Sequence, residues 1–254
     1  MSSPLTAPFF EIGPKNFLRR VQLEALARAA GLAGADYGVT VVMTVPTALI
    51  APIADLRTGV RVFAQAMDPD LPGDSMGRTI AETLVDAGAD GVMLNHDSNP
   101  LDEDTLARTV SRAQQAGLRT IVCAGTHGEA VRSAMLAPDA ILFEPPELIG
   151  TAGNAPRPWI PEANQAIRHA CHNVLAMHAG GVSTPEIARS IMAAGADGTG
   201  STSGILTADD PRAAARKFIA AARVGWDDAN TDPITMTIKP PTTPATNHYK
   251  GERA

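Results

Sequence analysis

Residues able to do chemistry stand where short apolar runs of this chain end. Lys15 follows "APFFEIG", Asn95 and His96 close "DGVMLNH", and Glu144 leaves "AILFEP". The runs "NVLAMHAGG" and "DGTGSTSG" finish in turns of glycine, serine and threonine. A carboxylate, an imidazole and an ammonium are the working groups of acid–base and electrostatic catalysis. Each alone has a plainer reading: a surface lysine is solvated, a single histidine packs, and a glutamate before Pro-Pro caps a turn. All three, each at the end of a separate strand of one barrel, favour a site. The two glycine turns place small residues just before helical segments, where free N–H groups can hold a phosphate.

The elements that must position these groups alternate along the chain. Strands are expected at "APFFEIG", "GVTVVMTVP", "VRVFAQ", "DGVMLNH", "LRTIVCAG", "AILFEP", "NVLAMHAGG" and "DGTGSTSG". Helices are expected over 16–33, 48–56, 77–87, 101–116, 127–136, 161–171, 184–194 and 211–222. Eight such units, with strands apolar throughout, predict parallel strands covered on both faces. The fold class is α/β, a closed (β/α)8 barrel forming a single domain over 1–224. An open doubly wound sheet is the runner-up, weakened because no GxGxxG follows the first strand. From 225 to 254 the chain becomes rich in Pro and Thr and reads as an extended or disordered tail. In such barrels the strand C-termini build the active site, and the last two strands its phosphate site.

Several segments together resemble the triosephosphate isomerase family, its archaeal branch in particular, over nearly all of 9–222. They are "GPKNF", "VFAQAMDP", "DAGADGVMLNHD", "GLRTIVCAG", "PDAILFEPPELIGTAG", "HAGGVS" and "TSGILTADDP", of which "EPPELIGT" is the most specific. The resemblance implies Glu144 as the base, His96 as a neutral electrophile and Lys15 as the cation beside the substrate oxyanion, a division of labour this family exemplifies. It implies a lid after Glu144, with prolines at its hinge and Gly150 to Gly153 at its far end. Glu147 is expected as a loop residue rather than a second base. Backbone amides near Gly150, Gly181, Ser183, Thr202 and Ser203 would hold the phosphate. No metal or organic cofactor is expected. The implied activity is isomerisation of a small phosphorylated sugar through an enediolate, with triose phosphate as default. An aldolase would want a Schiff-base lysine on a late strand, and strands six to eight carry none. A homodimer or homotetramer is expected, with "DPDLPGDSMGRT" as an intersubunit loop.

The chain departs from that family at three places. Gly13 stands where the family has an asparagine two residues before the lysine. It removes a donor and is expected to open space for a longer substrate, such as a four-carbon ketose phosphate. Ser98 replaces the acid that supports the lysine, so Asp97 or His178 is expected to orient Lys15. His178, at the end of the seventh strand, is expected to contact substrate or lid. A phosphosugar-binding barrel without turnover is the alternative class.

The bulk properties narrow the partners. A net charge of −6 leaves no footprint for nucleic acid. No apolar run approaches a membrane span of ~18 residues, and "MSSPLTAPFF" lacks the features of a secretory signal. Cys123 and Cys171 have no metal-ligand spacing and read as buried thiols of a reducing compartment, so a cytoplasmic protein is expected.

Overall fold

In a computed structural model, which describes residues 3–148 and 157–231, the apolar runs become the staves of a closed barrel. The strands are β1 (Phe9–Ile12), β2 (Thr40–Val45), β3 (Arg61–Ala64), β4 (Gly91–Leu94), β5 (Arg119–Ala124), β6 (Ala140–Phe143), β7 (Leu175–His178) and β8 (Gly198–Ser201). Each pairs in parallel with the next, and β8 closes on β1 with Phe9 opposite Gly198 and Glu11 opposite Gly200.

Around them lie α1 (Arg20–Tyr37), α2 (Ile50–Ala54), α3 (Ala81–Asp86), α4 (Glu103–Ala116), α5 (His127–Ala134), α6 (Ile160–Ala170), α7 (Pro185–Ala193), α8 (Ser203–Leu206) and α9 (Pro211–Asn230). Local chemistry sets several of their starts. Asp102 accepts a hydrogen bond from the Thr105 N–H at 2.8 Å to cap α4, and Thr126 with Glu129 forms a reciprocal capping box on α5. Thr184 and Asp210 cap α7 and α9, each followed by proline in the first turn.

Several boundaries differ from the sequence expectation, among them the third helix, which begins at Ala81 rather than 77. The first helix begins at Arg20 rather than Asn16, because Lys15 adopts φ +45°, outside helical geometry, and Pro14 to Phe17 form a turn. The eighth unit carries two helices, the one-turn α8 and then α9. The last helix also runs past 224 to Asn230. Gly225 lies against the backbone of Arg189, where a Cβ would stand 2.2 Å from its carbonyl oxygen, and Trp226 packs on the core. The Arg223–Asp227 and Arg189–Asp228 pairs continue along this stretch. The remainder of the expected tail lies outside the described residues.

Alternation along the strands decides what faces inward. The Phe10 ring lies 6.2 Å from that of Phe218 on α9, so Phe10 points outward and its neighbours Phe9 and Glu11 point into the barrel. The interior pairs large residues with glycines on adjacent strands. A Cβ at Gly198 would stand 2.4 Å from the Phe9 ring, and one at Gly91 would stand 2.5 Å from that of Phe63. Such size alternation fills a small barrel without voids.

At the N-terminal end, three aspartates lace the strands together. Asp90 accepts from the Val62 N–H at 3.0 Å, Asp139 from the Thr120 N–H at 2.8 Å and Asp197 from the Ala176 N–H at 2.8 Å. Each also pairs with an arginine: Arg61, Arg119 and Arg168 respectively. Among the described residues, no helix is long and apolar enough to cross a membrane.

Candidate active site at the C-terminal mouth

The mouth is assembled by where each strand stops. Beyond β4, Asn95 takes φ +58° and its side chain is spent on the scaffold: Nδ2 donates to the Cys123 carbonyl at 3.0 Å and Oδ1 accepts from the Leu101 N–H at 2.9 Å. That bracing fixes the turn carrying His96. The Ser98 N–H donates to His96 Nδ1 at 3.0 Å, and the Ser98 hydroxyl lies 2.8 Å from the same atom. Because a backbone N–H can only donate, Nδ1 is the acceptor and the ring proton of the neutral imidazole sits on Nε2. Partial burial, and next the positive charge of Lys15, pull the His96 pKa below its usual value; Asp97 opposes them. His96 is therefore a neutral donor.

Lys15 hangs from a strained turn after β1, with Gln65 donating to its backbone carbonyl at 2.9 Å. No carboxylate among the described residues lies within 4.0 Å of its ammonium, although its charge acts on His96, Glu144 and Glu11. Glu144 follows Phe143, which faces outward toward Trp159, so Glu144 turns inward. Burial raises its pKa; Lys15 lowers it in part, and Asp97 raises it further. Gly180, at the end of β7, makes room for it, since a Cβ there would stand 3.1 Å from Glu144 Cγ and 2.9 Å from Leu148 Cβ. His96 and Glu144 line one cavity of about 520 Å³ with Cys123 and Gly125, running back to Arg132 and Leu136.

The turns after β7 and β8 are tied together by the Ser201 hydroxyl donating to the Val182 carbonyl at 2.6 Å. Gly180 and Gly181 both take positive φ, +85° and +62°. Ser183 donates its N–H to the Gly181 carbonyl at 2.9 Å, which leaves its hydroxyl rather than its amide for a ligand. Thr202 and Ser203 open α8 on the neighbouring strand end. Gly150 lies outside the described residues, as does most of the expected lid. Pro146–Leu148, with Glu147 exposed, form a single 3-10 turn leading into it.

Two expectations need correction. His178 does not face the mouth. Met177 packs inside the barrel, so His178 points out into the helix layer, fully buried between Phe143 and Trp159. Its Nε2 lies 2.6 Å from Asn164 Oδ1 on α6, and burial drives its pKa down to about 3. It is a packed neutral histidine in the helix layer, on the opposite face of its strand from the barrel interior. Gly13, in turn, does not open space. A Cβ there would meet Glu11 Oε1 at 3.1 Å and Thr202 Oγ1 at 3.2 Å, so the room left by the missing side chain is already filled.

Sequence reasoning missed two residues. Ser98 holds the imidazole, and no local pattern announces that. Glu11 was readable as a lone charge inside an otherwise apolar strand. No cluster of three or more His, Cys, Asp or Glu side chains suited to a metal ion occurs among the described residues.

A family model described as triosephosphate isomerase matches residues 15–222. Triosephosphate isomerase of Sulfolobus acidocaldarius is 31% identical over 190 residues, covering 74% of this chain and 82% of its own. That of Methanobrevibacter smithii is 31% identical over 192 residues, with 74% and 86% covered. That of Cenarchaeum symbiosum is 31% identical over 220 residues, with 85% and 98% covered. The crystal structure of the Bartonella henselae triosephosphate isomerase superposes with a TM-score of 0.67 at 20% identity, over 86% of this chain and 98% of that one, a likeness of fold.

Proposed function

Since the chain belongs to the triosephosphate isomerase family, we propose that it interconverts the aldose and ketose forms of a small sugar phosphate without a cofactor. The observation that carries this reading is the His96 imidazole, held neutral by the Ser98 N–H on Nδ1 and sharing a cavity with Glu144. Glu144 removes a proton from the carbon beside the carbonyl and returns it to the neighbouring carbon, while a proton passes between the two oxygens. His96 Nε2–H and Lys15 stabilise the negative charge that grows on oxygen in between. A neutral imidazole suits this task because it donates without adding a proton the enediolate would have to return. Gly181, Ser183, Thr202 and Ser203 bind the phosphate.

Triose phosphate is the default substrate. A four-carbon ketose phosphate is the second reading, and its support from Gly13 is weakened by the Glu11 carboxyl in that space. Incubating the wild-type protein in D2O with three- to five-carbon sugar phosphates decides between them. Deuterium should enter the carbon beside the carbonyl of the true substrate, and no incorporation into any of them would leave a binding barrel without turnover.

The assembly we propose is a homodimer or homotetramer. The loop over 68–79 exposes Leu71 (64%) and Met76 (97%), apolar area suited to a second copy. Light scattering should give a multiple of 26.4 kDa; a species of that mass alone at working concentration would rule the assembly out.

A further inference from the structure

Among the described residues, Glu11 is the one carboxylate within the eight strands, and the chain makes room for it with care. It sits one layer above Phe9, at the top of the interior and below the mouth, 6% exposed. Its register partner on β8 is Gly200, where a Cβ would stand 3.0 Å from Oε2; on the other side Gly13 leaves Oε1 a clearance of 3.1 Å. Two bare positions thus shape a slot for one carboxyl. Within it, Oε1 closes no hydrogen bond of ordinary geometry among the described residues; the Thr44 hydroxyl, which faces inward from β2, stands beside the carboxyl and acts on it. Buried polar atoms left without partners cost stability, on the order of 1–3 kcal/mol each, and persist where a ligand supplies the missing bond.

We propose that Glu11 is a specificity-determining residue: its protonated carboxyl donates a hydrogen bond to an oxygen of the bound sugar phosphate, in place of the side chain absent at Gly13. This rests on the isomerase reading above. The titratable groups facing Glu11 are Lys15 from the turn after β1, Glu144 from the end of β6 and the Cys123 thiol from β5, which burial keeps neutral. Burial raises the Glu11 pKa to about 7; the nearby Thr44 hydroxyl and Lys15 restrain that rise, and Glu144 adds to it. The acid is thus a neutral donor below neutrality. Above it, ionisation would set a second negative charge beside Glu144 and the enediolate, which the reaction disfavours.

The test compares Glu11→Gln with Glu11→Met. Both remove the ionisation and match the carboxyl in size, and methionine also removes the unpartnered oxygen, so both should fold. Glutamine keeps a donor. It should retain wild-type preference among sugar phosphates, while the fall in kcat/KM of the wild type as pH rises through about 7 disappears. Methionine lacks the donor and should lose ~10-fold or more in kcat/KM on the preferred substrate. In addition, Gly13→Asn alone should impair turnover through its clash with the carboxyl. Combining it with Glu11→Ala should restore turnover, because the asparagine then occupies the vacated slot. Equal activity of the Gln and Met variants overturns the proposal, as does a pH profile that Glu11→Gln leaves unchanged. Wild-type exchange on some sugar phosphate alongside such a result would leave the isomerase reading standing and remove only the role of Glu11. A wild type that exchanges none removes both.

Discussion

The two ends of the barrel treat charge in opposite ways. At the N-terminal end, Asp90, Asp139 and Asp197 each accept from a backbone N–H of the preceding strand and pair with an arginine. Every one has its partners chosen, and their geometry locks one strand against the next. At the C-terminal mouth, Lys15, Glu11 and Glu144 sit within one another's field, yet none closes an ion pair with another. Burial pushes both carboxyls upward there instead of being offset by paired cations. A charge with a fixed partner contributes to stability. A charge without one is held in a costly state that a substrate can relieve, which is how an active site comes to be less stable than its scaffold.

Breaking the mouth should therefore cost rate and little stability. Glu144→Gln should lower turnover by at least ~10²-fold, the lower range for removing a general base, with thermal unfolding nearly unchanged. Near-normal kcat on the true substrate would rule out Glu144 as the base. In the wild type, the base works ionised and its pKa is raised by burial. Its rate should thus fall on acidification at a pH above the ordinary carboxylate range, a limb absent from the residual rate of the variant.

Breaking the base should do the reverse. Asp197→Asn removes the charge facing Arg168 and weakens the acceptor of the buried Ala176 N–H, an expected loss of roughly 1–3 kcal/mol. For a domain of this size that is a fall in Tm of several degrees, at roughly 2–4 °C per kcal/mol. Below the transition, kcat should stay within about twofold. A variant with wild-type Tm and lower kcat would erase the distinction between the two ends.

What the sequence determined by itself was what repeats or sits next to itself. Apolar runs of four to six residues, alternating with capped helical segments, specify a barrel because parallel strands covered on both faces must be apolar throughout. The placing of Lys15, His96 and Glu144 at strand ends followed from the same reading, since a polar residue closing an apolar run must emerge at a strand's end. Glu144 reaches the interior side because alternation after the outward Phe143 sends it there. Only the tertiary structure decided what depends on register and on neighbours far along the chain. His178 and Glu11 are both polar residues in apolar strands, and nothing local separates them. The pairing of Met177 with Gly198 and of Glu11 with Gly200 puts one outside among Asn164, Phe143 and Trp159 and the other inside beneath Lys15. The same register fills the gap at Gly13 with a side chain from two residues earlier. A missing side chain reads as space in a sequence; in a close-packed interior, whatever lies nearest takes it.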